Sequence, residues 1–322
     1  MGEPCSVDCA IVGGGPAGLV ASLYLLRFRR SVLIADRGSG RAQLIPRSHN
    51  VPAFPDGIAG SDLIQRLWSQ VRQQGTPVRT GEVDAIVPAG PRWILRVGPA
   101  QFVARKVLLA AGVADLWPDI PGAEQALRQR VLRFCPVCDG HEILKDVPVA
   151  VIGCSDHAVR EARFLRTYAS RICILASSTT VPDEQRDRLS GAGIRILDIR
   201  PETARFDSGH LVVEERSGGA IHTFAVAYSA LGMQPQVQLL ASMGVSLDEG
   251  GYVRVDSHQR TNIGGVYAAG DVVRGLNQIS VAMGEAAIAA TAMHNDLRNP
   301  DEAEAPTRLE GLLLDVTRAG TQ

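Results

Sequence analysis

Two cysteines separated by two residues, Cys135-Pro136-Val137-Cys138, are the best-placed groups in this sequence to do chemistry. A two-residue spacer lets the thiols close a small disulfide ring and reopen it, and it allows one thiol's pKa to fall. Asp139 follows at once, with Gly140, His141 and Glu142 behind it. Thiol–disulfide exchange needs an attacking thiolate and a proton for the leaving sulfur, and Asp139 is placed to trade that proton. His141 is a candidate to share the work near neutral pH, against the plainer reading that it is structural. The pair has two other readings, half of a zinc site or two buried cysteines. A structural zinc needs a second pair of ligands at suitable spacing. Cys154 and Cys173 have no close Cys or His partner in such spacing, so no metal is expected.

A second candidate site opens the chain. Gly13-x-Gly15-x-x-Gly18 follows an apolar run over residues 7–12 and begins a helical periodicity over residues 17–28. In such a motif Gly13 permits a tight turn, Gly15 lets the backbone approach a pyrophosphate, and Gly18 allows close helix–strand packing. The helix N-terminus offers free N–H groups and a positive dipole end to the anion. Asp36 closes the next apolar run, residues 31–35, where an acid can hydrogen-bond ribose hydroxyls. The alternatives are a merely tight turn and an ordinary surface aspartate.

The elements that must position these sites repeat. A second strand–glycine–helix unit runs from Val149–Ile152 through Gly153 to a helix over residues 158–168 and a strand over 171–175. Short strands over residues 85–97 and 101–109 form a meander that ends at Ala110-Ala111-Gly112. Two prolines and a glycine within residues 117–122 suit a linker, and Asp248-Glu249-Gly250-Gly251 marks a second break. A further strand over residues 265–269 precedes Gly270-Asp271 and a helix over 278–297. The expected fold is α/β, with two dinucleotide-binding, Rossmann-like, three-layer domains, the second inserted into the first. The expected division is 1–119 with 249–322 for the first and 120–248 for the second, and the tail 299–322 is expected to hold a short ordered piece and a frayed end.

Composition narrows the classes of partner. The 322 residues suit two domains, and 45% hydrophobic with 21% charged residues suit a globular protein. A formal net charge of −1 and an aromatic content of 5% give no support for a nucleic acid or an anionic membrane surface. No leader-like segment and no run of about 20 apolar residues is present, which places the chain in the cytoplasm as an expectation. In that reducing compartment a lone CxxC is more often catalytic than structural.

Three motifs occur in order: Gly13-Gly14-Gly15-Pro16-Ala17-Gly18, Cys-x-x-Cys-Asp-Gly at 135–140, and Ala268-Ala269-Gly270-Asp271-Val272. The set resembles the low-molecular-weight thioredoxin reductases among the pyridine-nucleotide disulfide oxidoreductases, over nearly the whole chain up to about Leu297. The resemblance implies a homodimer of two-domain subunits, with FAD in the split domain and the CxxC in the inserted one. It implies that Cys138 lies beside the flavin, that Cys135 meets the substrate sulfur, and that Asp139 is the acid–base group. It places Asp271 at the FAD ribityl-phosphate region, Gln43 and Asn50 along the flavin, and Gln278-Ile279 near the isoalloxazine ring. Arg37, Ala111, Gly112 and Gly270 join Pro16 and Ala17 among the cofactor-lining candidates.

The chain also departs from that family. Ser155 replaces the central glycine of Gly153-Cys154-Ser155-Asp156-His157-Ala158, where a side chain interferes with a pyrophosphate. Where NADPH-using relatives carry a His-Arg-Arg cluster, residues 175–182 read Leu-Ala-Ser-Ser-Thr-Thr-Val-Pro. NAD(P)H binding is therefore expected to be lost, unless hydroxyls with Arg186 or Arg188 substitute. The expected reaction is oxidation of a small-molecule dithiol through Cys135/Cys138 and FAD, with dioxygen as acceptor. The alternatives are reduction of a thioredoxin-like protein with NADPH or a protein donor such as ferredoxin, and a flavin-binding regulatory protein.

Overall fold

The computed structural model describes residues 5–75, 78–176, 183–273 and 276–298. The chain divides into two compact units. One comprises Met1–Ile45, Ala59–Ala114 and Pro235–Gln322, the other Pro46–Ile58 and Asp115–Gln234.

The first unit is built on a seven-stranded sheet. Its parallel part runs in the order Val78–Thr80, Val32–Asp36, Cys5–Val12 and Ala100–Leu109, and Val266–Ala268 pairs with the last of these. Arg92–Val97 and Ala85–Ala89 extend it as an antiparallel meander. Strands buried on both faces read as unbroken apolar runs, and alternate residues enter different cores. Cys9, Ile11, Val32, Ile34 and Leu108 pack beneath the helices Pro16–Arg27 and Ile279–Asp296. Ala10, Val12, Leu33, Val107 and Leu109 join the opposite core with Trp93, Leu95, Leu240 and Val253. The result is a three-layer Rossmann-like unit.

The second unit repeats the plan. Ile194–Asp198, Ile172–Ala176, Val149–Ile152, Val226–Ser229 and Leu132–Arg133 form a five-stranded sheet, and all its pairings are parallel. Val149 and Val151 enter the core beneath the helix Asp156–Leu165, while Ala150 and Ile152 enter the other. A three-stranded antiparallel sheet, Arg205–Asp207, His210–Glu214 and Ile221–Phe224, supplies the second covering layer.

Besides the excursion at Pro46–Ile58, the crossings fall at 114/115 and 234/235, whereas the sequence reading put them at 119/120 and 248/249. The prolines at 118 and 121 mark a turn inside the second unit, because Gly122 packs a short helix start against Phe206. The double glycine at 250–251 is likewise a local turn of the first unit, closed by Asp248 accepting from the Gly250 N–H at 2.7 Å. The helix expected over 158–168 spans Asp156–Leu165. Residues 177–182 and the tail 299–322 lie outside the described residues.

Candidate functional site

The second unit builds the sulfur site on one helical turn. Cys135 is extended (φ −144°, ψ 96°), and Pro136 then sets the helical φ of the turn Pro136–Asp139. The Cys138 N–H donates to the Cys135 carbonyl at 3.0 Å. That return brings the Cα atoms to 5.3 Å, and the two sulfurs are joined as a disulfide. Gly140 ends the motif because a Cβ there would stand 2.7 Å from the Tyr168 ring. Cys5, Cys9, Cys154 and Cys173 form no disulfide, and Cys9 is wholly buried, which pushes its thiol well above the ordinary range.

Asp139 stands next to Cys138 and is held from two sides. The Tyr228 hydroxyl donates to its Oδ1 at 2.6 Å. Arg133 Nη1 donates to the Asp139 carbonyl at 2.8 Å and lies 3.8 Å from Oδ1. Burial raises the Asp139 carboxyl above the usual carboxylate range, while the Arg133 charge and the Tyr228 hydrogen bond pull it back. Tyr228 is itself pushed far upward by burial and by the facing carboxylate, so it remains a protonated donor. His141 sits exposed on the following turn, Gly140–Glu142, and no bond from it to Asp139 is found among the described residues. Arg133 and Tyr228 were missed in the sequence. The signal was a tyrosine in the apolar strand Val226–Ser229, since a buried phenol needs a partner.

The first unit contains the glycine turn. Gly13 takes φ +111° against the Ala110 carbonyl, and a Cβ on Gly18 would stand 1.9 Å from the Gly13 oxygen. A Cβ on Gly15 would meet nothing within 4 Å, so the space in front of the turn is open. No side chain caps the helix Pro16–Arg27, whose first turn leaves N–H groups for an anion. Asp36 accepts from the Gly14 N–H at 2.9 Å and the Gly38 N–H at 3.1 Å, which anchors its carboxylate beside the turn. A Cβ on Gly270 would stand 2.9 Å from Ala17, so the third motif meets the first. Asp271 pairs with Arg41 at 3.3 Å, and the Gly270 N–H donates to Glu285 at 2.8 Å. This open turn, uncapped helix and neighbouring acid fit the pyrophosphate and ribose of a dinucleotide such as FAD.

The other candidates are dispersed. Gln43 is exposed on the short helix Arg41–Leu44, and Gln278 precedes Ile279 at the start of the helix Ile279–Asp296. Ala111 packs on the first core, and Gly112 takes φ +68° beyond the strand Ala100–Leu109. Arg37 makes an exposed pair with Glu82 at 3.7 Å. Asn50 accepts from Ser48 at 2.7 Å within Pro46–Ile58, a segment that belongs to the second unit and not, as expected, to the first.

The second glycine turn keeps Gly153 at φ +118°, close to the Ala230 carbonyl. Ser155 is the N-cap of the helix Asp156–Leu165, and its Oγ accepts from the Ala158 N–H at 3.4 Å. Arg186 Nη2 donates to both carboxylate oxygens of Asp198, at 2.8 and 2.9 Å. Among the described residues no group of three His, Cys, Asp or Glu side chains could hold a metal, and no helix is long and apolar enough to cross a membrane.

Residues 7–286 match the pyridine nucleotide-disulphide oxidoreductase family. The thioredoxin reductase of Listeria innocua serovar 6a is 29% identical over 315 residues, which cover 92% of this chain and 97% of that protein. The crystal structure of thioredoxin reductase from Streptococcus pyogenes MGAS5005 matches with a TM-score of 0.82 at 25% identity, over 92% of this chain and 99% of that one. The crystal structure of HlmI matches with a TM-score of 0.82 at 28% identity, over 91% and 92% of the two chains.

Proposed function

The chain belongs to the pyridine nucleotide-disulphide oxidoreductase family as an FAD-dependent disulfide oxidoreductase, and we propose that it reduces the disulfide of a thioredoxin-like protein. The observation that supports this reading is the Cys135–Cys138 disulfide followed by a carboxyl held at Asp139. The full-length likeness to thioredoxin reductases supports it in turn. FAD, when bound, supplies a two-electron relay between the cysteine pair and a second electron partner. Gly13, Gly15, Pro16, Ala17 and Gly18 would hold its pyrophosphate, with Asp36 at the ribose and Gly270-Asp271 at the ribityl-phosphate region.

The sulfur chemistry uses the chain's own groups. The Cys135 thiolate attacks one sulfur of the substrate disulfide, and a mixed disulfide forms as a substrate thiolate leaves. Asp139 gives that sulfur a proton. The Cys138 thiolate then attacks Cys135 Sγ, which expels the second substrate thiolate and closes the Cys135–Cys138 bond. Two electrons pass from the pair to the substrate. In this reading NADPH is the electron source, and the long cap bond of Ser155 yields as the nucleotide binds the Gly153 turn.

The Ser155 cap also favours a second reading, in which the cycle runs backward. Ser155 occupies a first-turn N–H that a pyrophosphate would use, and Arg186 is engaged by Asp198. A small-molecule dithiol would then open the Cys135–Cys138 disulfide, and dioxygen would be the terminal acceptor. One experiment separates the readings: anaerobic exposure of the yellow enzyme to NADPH, NADH or a small dithiol in turn. Bleaching by micromolar NADPH, with thioredoxin reduced on its addition, is the result expected of the reductase. Bleaching by the dithiol alone, with hydrogen peroxide formed on readmitting air, would overturn it in favour of the oxidase. No bleaching by either, with bleaching by reduced ferredoxin, would replace NADPH with a protein donor.

A further inference from the structure

We infer that Tyr228 and Arg133 are positioning residues for Asp139, fixing one carboxylate oxygen so that the other faces the proton to be moved. The inference rests on the reading of Asp139 as the acid–base group and goes beyond it by naming what orients that group. Its basis is a cross-strand pair. The strands Val226–Ser229 and Leu132–Arg133 run parallel, and Tyr228 and Arg133 are register partners. Partners on one face of a sheet project side by side. The Arg133 guanidinium accordingly lies over the Tyr228 ring, 5.9 Å from its centroid, with Nη1 3.4 Å from the phenol oxygen.

Both side chains converge on one residue. Arg133 fixes the main chain of Asp139 at its carbonyl, and Tyr228 fixes the side chain at Oδ1. Tyr228 is fully buried, so its hydroxyl cannot trade Asp139 for water without a large penalty. Among the described residues nothing bonds Oδ2, which leaves that oxygen for a thiol proton. The charged groups that face the carboxyl are Arg133 and Arg130, which favour its ionised form, and Glu142, which opposes it. Tyr228 adds the one neutral donor. Removing that donor leaves burial less opposed and lets the carboxyl rotate.

Tyr228→Phe keeps the ring and deletes only the hydroxyl. Turnover is expected to fall about tenfold with KM little changed. The limb of the pH–rate profile that reports Asp139 should move up by about one pH unit, whether Asp139 acts as acid or as base. In an Asp139→Asn background the same substitution should have no further effect on turnover, because Tyr228 acts through the group already removed. Arg133→Met should move the same limb upward, and it decides the matter should Tyr228→Phe fail to fold. A wild-type profile in Tyr228→Phe beside a crippled Asp139→Asn would overturn the inference and leave the role of Asp139 standing. Equal losses from Tyr228→Phe with and without Asp139 would overturn it as well. Wild-type turnover in Asp139→Asn would overturn the acid–base reading itself, and the inference with it.

Discussion

Asp139 is held in a buried state at some expense to the fold. Burial outweighs Arg133 and Tyr228, so the folded-state pKa of its carboxyl lies above the unfolded value. A raised carboxyl pKa means that the folded protein holds the proton more tightly. Stability is therefore greatest below the unfolded pKa and falls as pH rises through the folded one. Asp139→Asn should thus lower turnover by about a hundredfold or more at pH 7 without lowering Tm, which steady-state kinetics and thermal melts will check. Cys138→Ser and Cys135→Ser should each abolish turnover while the yellow colour remains. Normal turnover in either would make the pair structural. The contiguous half of this site was legible in the sequence, because Cys135, Cys138 and Asp139 lie within one helical turn. Tyr228, 89 residues further on, was not, since only the parallel pairing of its strand brings it to Asp139. His141 had the right chemistry and the right neighbourhood in sequence, but the turn Gly140–Glu142 leaves it exposed.

At the scale of the element, the two glycine turns differ in what fills them. In the first, Gly18 lies against the Gly13 carbonyl, whereas Gly15 faces open space. Gly18→Ala should destabilise the first unit by about 1–3 kcal/mol and lose flavin together with Tm. Gly15→Val should lose flavin and keep the circular dichroism of a folded apoprotein, because its side chain enters only the open space in front of the turn. In the second turn Ser155 caps its helix. Ser155→Gly should lose only about 0.3 kcal/mol of stability, since glycine is a tolerable N-cap. It should also lower the KM for NADPH, which initial rates will test. The sequence exposed Ser155 as a misfit glycine position but concealed the cap, whose acceptor role emerges from the geometry of the Ala158 N–H. The same cap explains why the helix starts at Asp156, earlier than apolar periodicity indicated, and past its end Arg166 donates to the Ala169 and Ser170 carbonyls of the following turn.

At the scale of the whole molecule, each unit has a pair of cores made entirely from its own residues. The apoprotein should therefore melt in two calorimetric transitions. Added FAD should raise one of them in proportion to the logarithm of its concentration and leave the other in place. The repeated strand–glycine–helix pattern made both units legible, because the strand that leads into each glycine turn ends in an apolar run, residues 9–12 in one and 149–152 in the other. The crossings were harder to read. Proline and glycine mark turns wherever they occur, and those at 118–122 and 250–251 happen to lie inside the units. The segment Pro46–Ile58 carries no compositional sign that it belongs with residues far downstream; its ends are tied by the bridge between Ser48 and Ile58.

The late strand Val266–Ala268 has a consequence for a chain emerging from the ribosome. The residues of the second unit are all synthesised once Gln234 has been added, so that unit can close while translation continues. The first unit begins earlier and finishes later. Residues 107–109 of its strand Ala100–Leu109 have no partner on one side until Val266, Tyr267 and Ala268 arrive. Until then the nascent sheet presents a bare, apolar edge of the kind that recruits other strands. Closing so long an excursion is entropically tolerable but slow. A ribosome stalled with Gln234 clear of its exit tunnel and Val266 still inside it would therefore display a finished inserted unit and an unfinished host, and it is the host that would need a chaperone.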